Sequence, residues 1–158
     1  MMIMININNF IQEKLKINSK SKISQYTYHP KDKEELKKLL DKLIEERGCE
    51  GNFNDIDTSN ITDMSMLFTF SHPKFNGDIS EWDVSNVTNM RFMFNDTKFS
   101  GDVSDWDVSN VEDMYDMFYG CNDFNCNLNK WNVNKVKDMR DMFYGCPLEK
   151  NPPKWYHE

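Results

Sequence analysis

The sequence has no long apolar run, no paired-cysteine motif and few histidines, and each absence excludes a class of protein. No stretch approaches the roughly 20 consecutive apolar residues that a membrane-spanning helix requires. The four cysteines form no CxxC pair and the three histidines are scattered, so zinc has no ligand set. We therefore expect no transmembrane segment, no metal site and no cofactor.

Positive charge does not balance the negative charge, since 19 Lys and Arg stand against 26 Asp and Glu. The 158-residue chain has a formal net charge of -7 at pH 7, which repels phosphate backbones, so nucleic acid is not an expected partner. The N-terminal MMIMININNF has no Lys or Arg ahead of its apolar residues and lacks the pattern of a secretory signal. These features alone predict a cytoplasmic protein.

What the chain does contain is a repeat. The motif DTSNITDMSMLF begins at Asp57, DVSNVTNMRFMF at Asp83, DVSNVEDMYDMF at Asp107 and NVNKVKDMRDMF at Asn132, with spacings of 26, 24 and 25 residues. Upstream of the motif, aromatic residues recur in two columns: Phe75, Phe99 and Phe124, and Trp82, Trp106, Trp131 and Trp155. Such a period predicts units that bury their apolar faces by stacking on their neighbours.

Each unit is predicted to contain one short strand and one short helix. Apolar and polar residues alternate in WDV at 106–108, which is typical of a strand. Ser109 is followed by Glu112 in a capping-box pattern, which predicts a helix starting at Asn110 or Val111. The buried stripe of that helix would be Val111, Met114, Met117 and Phe118. The predicted fold class is therefore an α/β repeat solenoid with about 25 residues per coil and a parallel ladder between coils.

The chain divides into three predicted segments. Residues 1–25, rich in Asn, Lys and Ser, are predicted to be a mobile N-terminal segment. Residues 26–48 are predicted to form an amphipathic helix that caps the first coil, and residues 49–158 to hold four full coils and a C-terminal cap. The apolar face of the helix would be Leu36, Leu39, Leu40, Leu43 and Ile44. In the C-terminal cap, Pro147, Pro152 and Pro153 would stop further pairing, and Trp155 would cover the Trp column.

Several columns pair acid with base between the third and fourth units. Asp105 aligns with Lys130 and Glu112 with Lys137, while Tyr115 aligns with Arg140. Surface ion pairs of this kind contribute about 0 to 1 kcal/mol each, too little to hold the fold. They are expected to disfavour a wrong stacking register.

The stretch FNGDISEWDVSNVTNM, from Phe75 to Met90, closely resembles the repeat of the BspA-like leucine-rich-repeat surface proteins, which include the mycoplasmal repeat family of unknown function. The resemblance covers residues 49–158 and implies a right-handed solenoid with a strand and a helix in each coil. Members occur in host-associated bacteria and some protists, and are often credited with adhesion or with binding other proteins. The resemblance thus implies a cell-surface location, although this sequence shows no leader. It carries over no catalytic residue.

Three chemical interpretations compete with structural ones. The methionine columns fit an apolar core better than a soft-metal site. The carboxylates of Asp83 and Asp107 either cap turns or hold a cation; calcium requires about six to eight oxygens, so turn capping is favoured. Cys121 and Cys146 share a column and either cross-link adjacent coils or stay reduced, and the lack of an export signal favours reduced thiols.

The predicted function is non-enzymatic binding of a protein partner, in an adhesin-like or host-interacting role. An enzyme needs a unique constellation of acid, base or nucleophile, whereas nearly every polar residue here is explained by its repeat position. The candidate contact residues lie where the copies disagree: Tyr115, Tyr119, Lys137, Arg140 and Tyr144. The alternative is a structural role in which copies of the chain self-assemble. A monomer or a weak homo-oligomer is expected.

Overall fold

A computed structural model describes residues 26–157 of the chain. It has one α-helix, α1 (Lys33–Arg47), and one 3-10 helix (Pro147–Glu149). The predicted mobile segment, residues 1–25, lies outside the described residues. From residue 51 onward the chain forms four stacked repeats, at residues 51–76, 77–100, 101–125 and 126–150.

The start and end of α1 follow from local chemistry. The side chain of Asp32 accepts a hydrogen bond from the backbone N–H of Glu35 (2.9 Å), which caps the first turn. Gly48, at φ 80°, ends the helix, and its N–H donates to the carbonyl of Ile44. The helix lies within the stretch where the sequence predicts an amphipathic helix, and its buried residues are Leu36, Leu40, Leu43 and Ile44.

Three polar contacts hold α1 against the first repeat. The ammonium of Lys33 donates to Ser65 Oγ (2.5 Å) and to Asp63 Oδ2 (3.3 Å). His72 pairs with Asp41 on the helix at 2.7 Å. Arg47 makes two parallel bonds to the carboxylate of Asp55, at 2.7 and 3.0 Å. Together with the buried leucines, these contacts place α1 over the N-terminal end of the stack.

The predicted fold class, an α/β repeat solenoid of the leucine-rich-repeat type, is wrong. Within residues 26–157 no repeat has a strand or an α-helix of its own, and there is no sheet. Neighbouring repeats are joined by isolated parallel bridges, such as those that link Asp63 to Asn89, Asn89 to Asp113 and Asp113 to Asp138. The strand and helix per coil that the family resemblance implies are likewise absent from the described part of the chain.

The predicted helix fails because its backbone has other partners. The backbone N–H of Ser109, the expected N-cap, donates to Asp107 Oδ1 (3.1 Å), so the carboxylate closes a turn instead. Asp116 then adopts φ 53°, in the left-handed region that interrupts a right-handed helix. The N–H of Phe118 donates to the carbonyl of Met142 in the next repeat (3.0 Å), and so is not available to a helix.

Side-chain turns of the Ser109 type recur three times in every repeat. In each, an Asp or Asn side chain accepts the backbone N–H two residues later. The acceptors are Asn52, Asp57 and Asp63; Asp78, Asp83 and Asn89; Asp102, Asp107 and Asp113; and Asn127, Asn132 and Asp138. These twelve turns take the place of the predicted strands and helices, which explains why Asp and Asn recur at fixed positions.

The core consists of columns of like side chains. Phe94 stacks on Phe118 with ring centroids 5.5 Å apart, and Phe118 on Phe143 at 6.1 Å. The Trp column is held by hydrogen bonds: the indole N–H of Trp106 donates to the carbonyl of Ile79 in the preceding repeat (3.3 Å). The predicted stripe of Val111, Met114, Met117 and Phe118 is fully buried, although no helix carries it. The apolar columns were therefore predicted correctly, while the elements were not.

Candidate functional site

Two backbone positions in each repeat adopt the left-handed conformation, and they shape one surface of the stack. The first position holds Met66, Phe92, Asp116 and Asp141, and the second holds Phe70, Asp96, Gly120 and Gly145. Most of these residues are not glycine, so the conformation is imposed by the bonds between repeats. We call the surface formed by Arg91, Phe92, Tyr115, Tyr119, Arg140 and Tyr144 the aromatic face.

Tyr115 lies between two arginines. The guanidinium carbon of Arg91 is 4.5 Å from the centre of the Tyr115 ring, and that of Arg140 is 5.3 Å from it. Phe92 meets the same ring edge-on at 5.2 Å. Arg91, Tyr115 and Arg140 come from three successive repeats, so the stacking of the repeats creates this arrangement of cations on a ring face.

Arg140 is held in place by its neighbour Asp138. Its Nε donates to Oδ1 at 3.0 Å and its Nη2 to Oδ2 at 2.6 Å. The Asp138 carboxylate raises the pKa of Arg140, and the Arg140 guanidinium lowers the pKa of Asp138. The planar guanidinium that lies over Tyr115 is therefore fixed by two parallel hydrogen bonds.

Tyr119 and Tyr144 form a second ring pair in the same two repeats. Their centroids are 5.0 Å apart and their planes differ by 17°. Tyr144 is 54% exposed, whereas the phenylalanine column one position earlier is buried. Burial and the nearby Tyr144 raise the pKa of the Tyr119 phenol.

Lys137 does not join the tyrosines. Its ammonium donates to Glu112 Oε2 at 2.6 Å, and Lys130 pairs with Asp105 at 3.2 Å, as the column alignment predicts. The Lys137 ammonium lowers the pKa of the Glu112 carboxyl. The five predicted contact residues therefore separate into the Tyr115–Arg140 contact, the Tyr119–Tyr144 stack and an ion pair at Lys137.

Asp116 differs from the other left-handed aspartates of the stack in the burial of its carboxylate. Its Oδ1 is buried and, within residues 26–157, has no hydrogen-bond partner. Burial and the charge of Asp141 raise the pKa of the Asp116 carboxyl, while the positive charge of Arg91 opposes this shift. The position is thus one where the fold tolerates a carboxylate at a cost.

Comparison with known proteins places the chain in one family. Residues 35–155, which include most of α1 and all four repeats, match the family described as "Mycoplasma protein of unknown function, DUF285". The chain belongs to this family. No curated protein and no solved structure matches it. Membership covers α1 as well as the repeats, so the helix is part of the family's unit.

In this family member the stacked carboxylates serve as turn caps. Asp83 and Asp107 accept the N–H groups of their own turns, as turn capping predicts. Within residues 26–157 no group of three His, Cys, Asp or Glu side chains is arranged to hold a metal ion. In the same part of the chain no helix is long and apolar enough to cross a membrane.

All four cysteines are free thiols. Cys121 and Cys146 are buried, and their Sγ–H groups donate to the carbonyls of Phe94 (2.9 Å) and Phe124 (3.2 Å). Burial raises the pKa of Cys121 to about 12 and that of Cys146 to about 11. These thiols are structural donors, because such pKa values leave almost no thiolate at neutral pH.

Sequence reasoning left four exposed or half-buried residues out of the candidate site. Arg91 and Phe92 complete the environment of Tyr115, and the alignment of Arg91 with Tyr115 and Arg140 was the available signal. Met66 and Phe70 in the first repeat are 42% and 85% exposed. They occupy the two left-handed positions, where the third and fourth repeats carry Asp or Gly, and this change of residue type was the signal for them.

Proposed function

We propose that the protein is a non-enzymatic module that binds a protein partner through the aromatic face. The observation that carries this proposal is the Tyr119–Tyr144 stack, in which two nearly parallel rings lie 5.0 Å apart and one of them is 54% exposed. Tyr and Arg are the residue types most enriched at the energetically dominant positions of protein interfaces.

The geometry of the face also favours binding because it is ordered before the partner arrives. Arg140 is fixed by Asp138, and Tyr115 by arginines on both of its sides. Each side chain that is already immobilised saves part of the roughly 0.5–1.5 kcal/mol that ordering it at an interface costs. A partner with apolar groups and carboxylates or carbonyl oxygens would fit the rings, guanidiniums and phenol hydroxyls.

The finer expectation is an adhesin-like or host-interacting role. Its support is the resemblance of FNGDISEWDVSNVTNM to the repeat of BspA-like surface proteins, together with membership of a family found in Mycoplasma. The contact surface is defined by its chemistry alone.

Self-assembly is the alternative function. It is favoured by the last repeat, where Val133, Val136 and Met139 are only partly buried. The helix α1 covers the opposite end of the stack, so head-to-tail stacking would require α1 to move. Light scattering over a concentration series separates the two functions, since a concentration-independent monomer mass counts against self-assembly.

Partner capture with matched variants tests the proposed face. Host extracellular material and bacterial lysate are passed in parallel over the wild-type protein, a Tyr119→Ala/Tyr144→Ala variant and a Tyr26→Ala control. Tyr26 has an edge contact with His29 outside the face. We expect a partner that the wild type and the control retain and the double variant loses. Equal retention by all three proteins would remove the aromatic face as the binding surface.

A further inference from the structure

In the part of each repeat that contains the two left-handed positions, the hydrogen bonds between repeats run mainly in one direction. In the third repeat, Met114, Asp116 and Phe118 donate their backbone N–H groups to carbonyls of the fourth repeat, at 2.8, 3.2 and 3.0 Å. The equivalent residues of the first two repeats, Met64, Met66, Phe68, Met90, Phe92 and Phe94, donate to the next repeat in the same way. The C-terminal side of every repeat is therefore a row of donors.

In the fourth repeat the last donor of this row, Gly145, bonds to Glu149 Oε2 (3.0 Å), whereas the three donors before it have no acceptor among residues 26–157. Met139, Asp141 and Phe143 occupy the donor positions, and within residues 26–157 their N–H groups have no hydrogen-bond partner. Tyr156 packs on the ring of Phe143, and Phe143 is buried. Met139 is half-buried and Asp141 is exposed, so among residues 26–157 two donors, one residue apart, are unpaired at the surface.

Apolar side chains lie beside the open donors. In the third repeat, Val108, Val111 and Met114 are at most 1% exposed, because the fourth repeat covers them. Their counterparts Val133, Val136 and Met139 are only partly buried. We call the Met139 and Asp141 N–H groups together with these three side chains the C-terminal edge.

The contacts inside the stack show what fits this edge. At the third repeat, the equivalent donors are filled by the carbonyls of Asp138 and Arg140. At the same junction, Lys135 and Lys137 reach back to Asn110 and Glu112 (2.6 Å each). An occupant of the last repeat would meet these two lysines from the other side, and carboxylates suit them best.

A second copy of the chain does not meet these requirements. Its own C-terminal edge offers donors to donors, and the N-terminal side of its first repeat lies under α1. We propose that the C-terminal edge binds a segment of a different protein that has the conformation of this repeat. That segment supplies backbone carbonyls to Met139 and Asp141, an apolar residue to Val136, and carboxylates to Lys135 and Lys137. This surface is separate from the aromatic face.

The chain itself provides a matched pair of probes. The full protein is extended at its C-terminus by a flexible Gly-Ser linker and a copy of either residues 107–118 (DVSNVEDMYDMF, acidic) or residues 132–143 (NVNKVKDMRDMF, basic). Tethering raises the effective concentration into the millimolar range, which offsets the cost of ordering a short segment. Amide hydrogen exchange is then measured by NMR at Met139 and Asp141, with the already bonded Met114 and Asp116 as internal references.

We expect the acidic extension to slow exchange at Met139 and Asp141 by about tenfold or more, since tenfold corresponds to about 1.4 kcal/mol. The basic extension should leave both exchange rates unchanged. In the protein with the acidic extension, Val136→Lys should restore fast exchange. Equal rates in the extended and unextended proteins would overturn the proposal, as would equal protection by both extensions. Protection that appears in the unextended protein as its concentration rises would assign the edge to a second copy instead.

Discussion

The ring of Tyr119 stacks on that of Tyr144 at 5.0 Å, one position along the chain from the stack of Phe118 on Phe143 at 6.1 Å. The two contacts use equivalent positions of the same two repeats. Phe118 and Phe143 are buried, while Tyr144 is 54% exposed. The same repeat geometry therefore builds one aromatic column inside the core and another on the surface.

Alanine substitutions at these neighbouring positions should separate stability from binding. Phe143→Ala removes a buried ring and should lower the free energy of unfolding by about 3–5 kcal/mol. Tyr144→Ala removes an exposed stacking contact and should lower it by about 1 kcal/mol or less. Urea denaturation measures both. A Tyr144→Ala loss as large as that of Phe143→Ala would show that the stack belongs to the core and not to a contact surface.

Asp116→Asn should stabilise the protein by about 1 kcal/mol at neutral pH. The change removes a buried charge whose Oδ1 has no partner among the described residues, and Asn tolerates the left-handed backbone at φ 53°. Asp141→Asn is the matched control, because Asp141 has the same backbone conformation but is exposed. Equal gains in the two variants would assign the effect to the backbone alone.

The stabilisation by Asp116→Asn should also depend on pH. The pKa of Asp116 is raised in the folded protein, so between its unfolded and folded values the folded state binds the extra proton. Wild-type stability from this group is present below the unfolded pKa and is lost as pH rises through the folded pKa. The difference between variant and wild type, measured by urea denaturation, should therefore grow with pH over the acidic range. A constant difference would contradict the raised pKa.

Two glycines in the second left-handed column test the role of backbone conformation. Gly145 has φ 71°, and a Cβ there would lie 3.6 Å from the nearest atom, so Gly145→Ala should cost about 1 kcal/mol for the conformation alone. At Gly120, φ 69°, a Cβ would clash with Asp96 Oδ1. Gly120→Ala should therefore cost more, about 2 kcal/mol, because the carboxylate must also move. Thermal unfolding of both variants compares the two losses of stability. Equal losses would show that the Asp96 side chain moves aside without cost.

Thiol labelling should divide the cysteines into two classes. Cys121 and Cys146 are buried, with pKa values raised to about 12 and about 11, so neither should react at pH 8 in the folded protein. Cys49 and Cys126 are half-buried and should be modified first. Iodoacetamide followed by peptide mass spectrometry locates the labels, with urea-unfolded protein as the control in which all four react. Labelling of Cys121 before unfolding would mean that the last repeats open readily.

The apolar columns were predicted correctly, whereas the strand and helix of each repeat were not. Both outcomes have the same physical origin. Both Ser109 and Asp107 are strong turn and cap formers, and the motif DVSNVEDM is compatible with a helix cap or with a side-chain turn. A local pattern does not decide between them. The decision comes from residues one repeat away, such as Met142, whose carbonyl takes the N–H of Phe118.

The candidate site, too, was only partly predictable from the sequence. The alignment of Tyr115 with Arg140 and of Tyr119 with Tyr144 was enough to predict both contacts, because stacked repeats bring equivalent positions together. The exposure of Phe70 was not predictable, since the same residue type is buried at Phe68 two positions earlier. Nothing in the sequence showed that Phe70 adopts φ 61°.

The sequence by itself determined the repeat period, the membership of the apolar columns, and the Asp and Asn positions that cap turns. It did so because side chains repeated at a fixed spacing have to meet their copies. The tertiary structure alone decided that each repeat is a series of turns without its own strand or α-helix, and which rings lie outside. The reason is that alternate backbone N–H groups, such as those of Met114, Asp116 and Phe118, bond to carbonyls of the next repeat, and these partners exist only once the repeats are stacked.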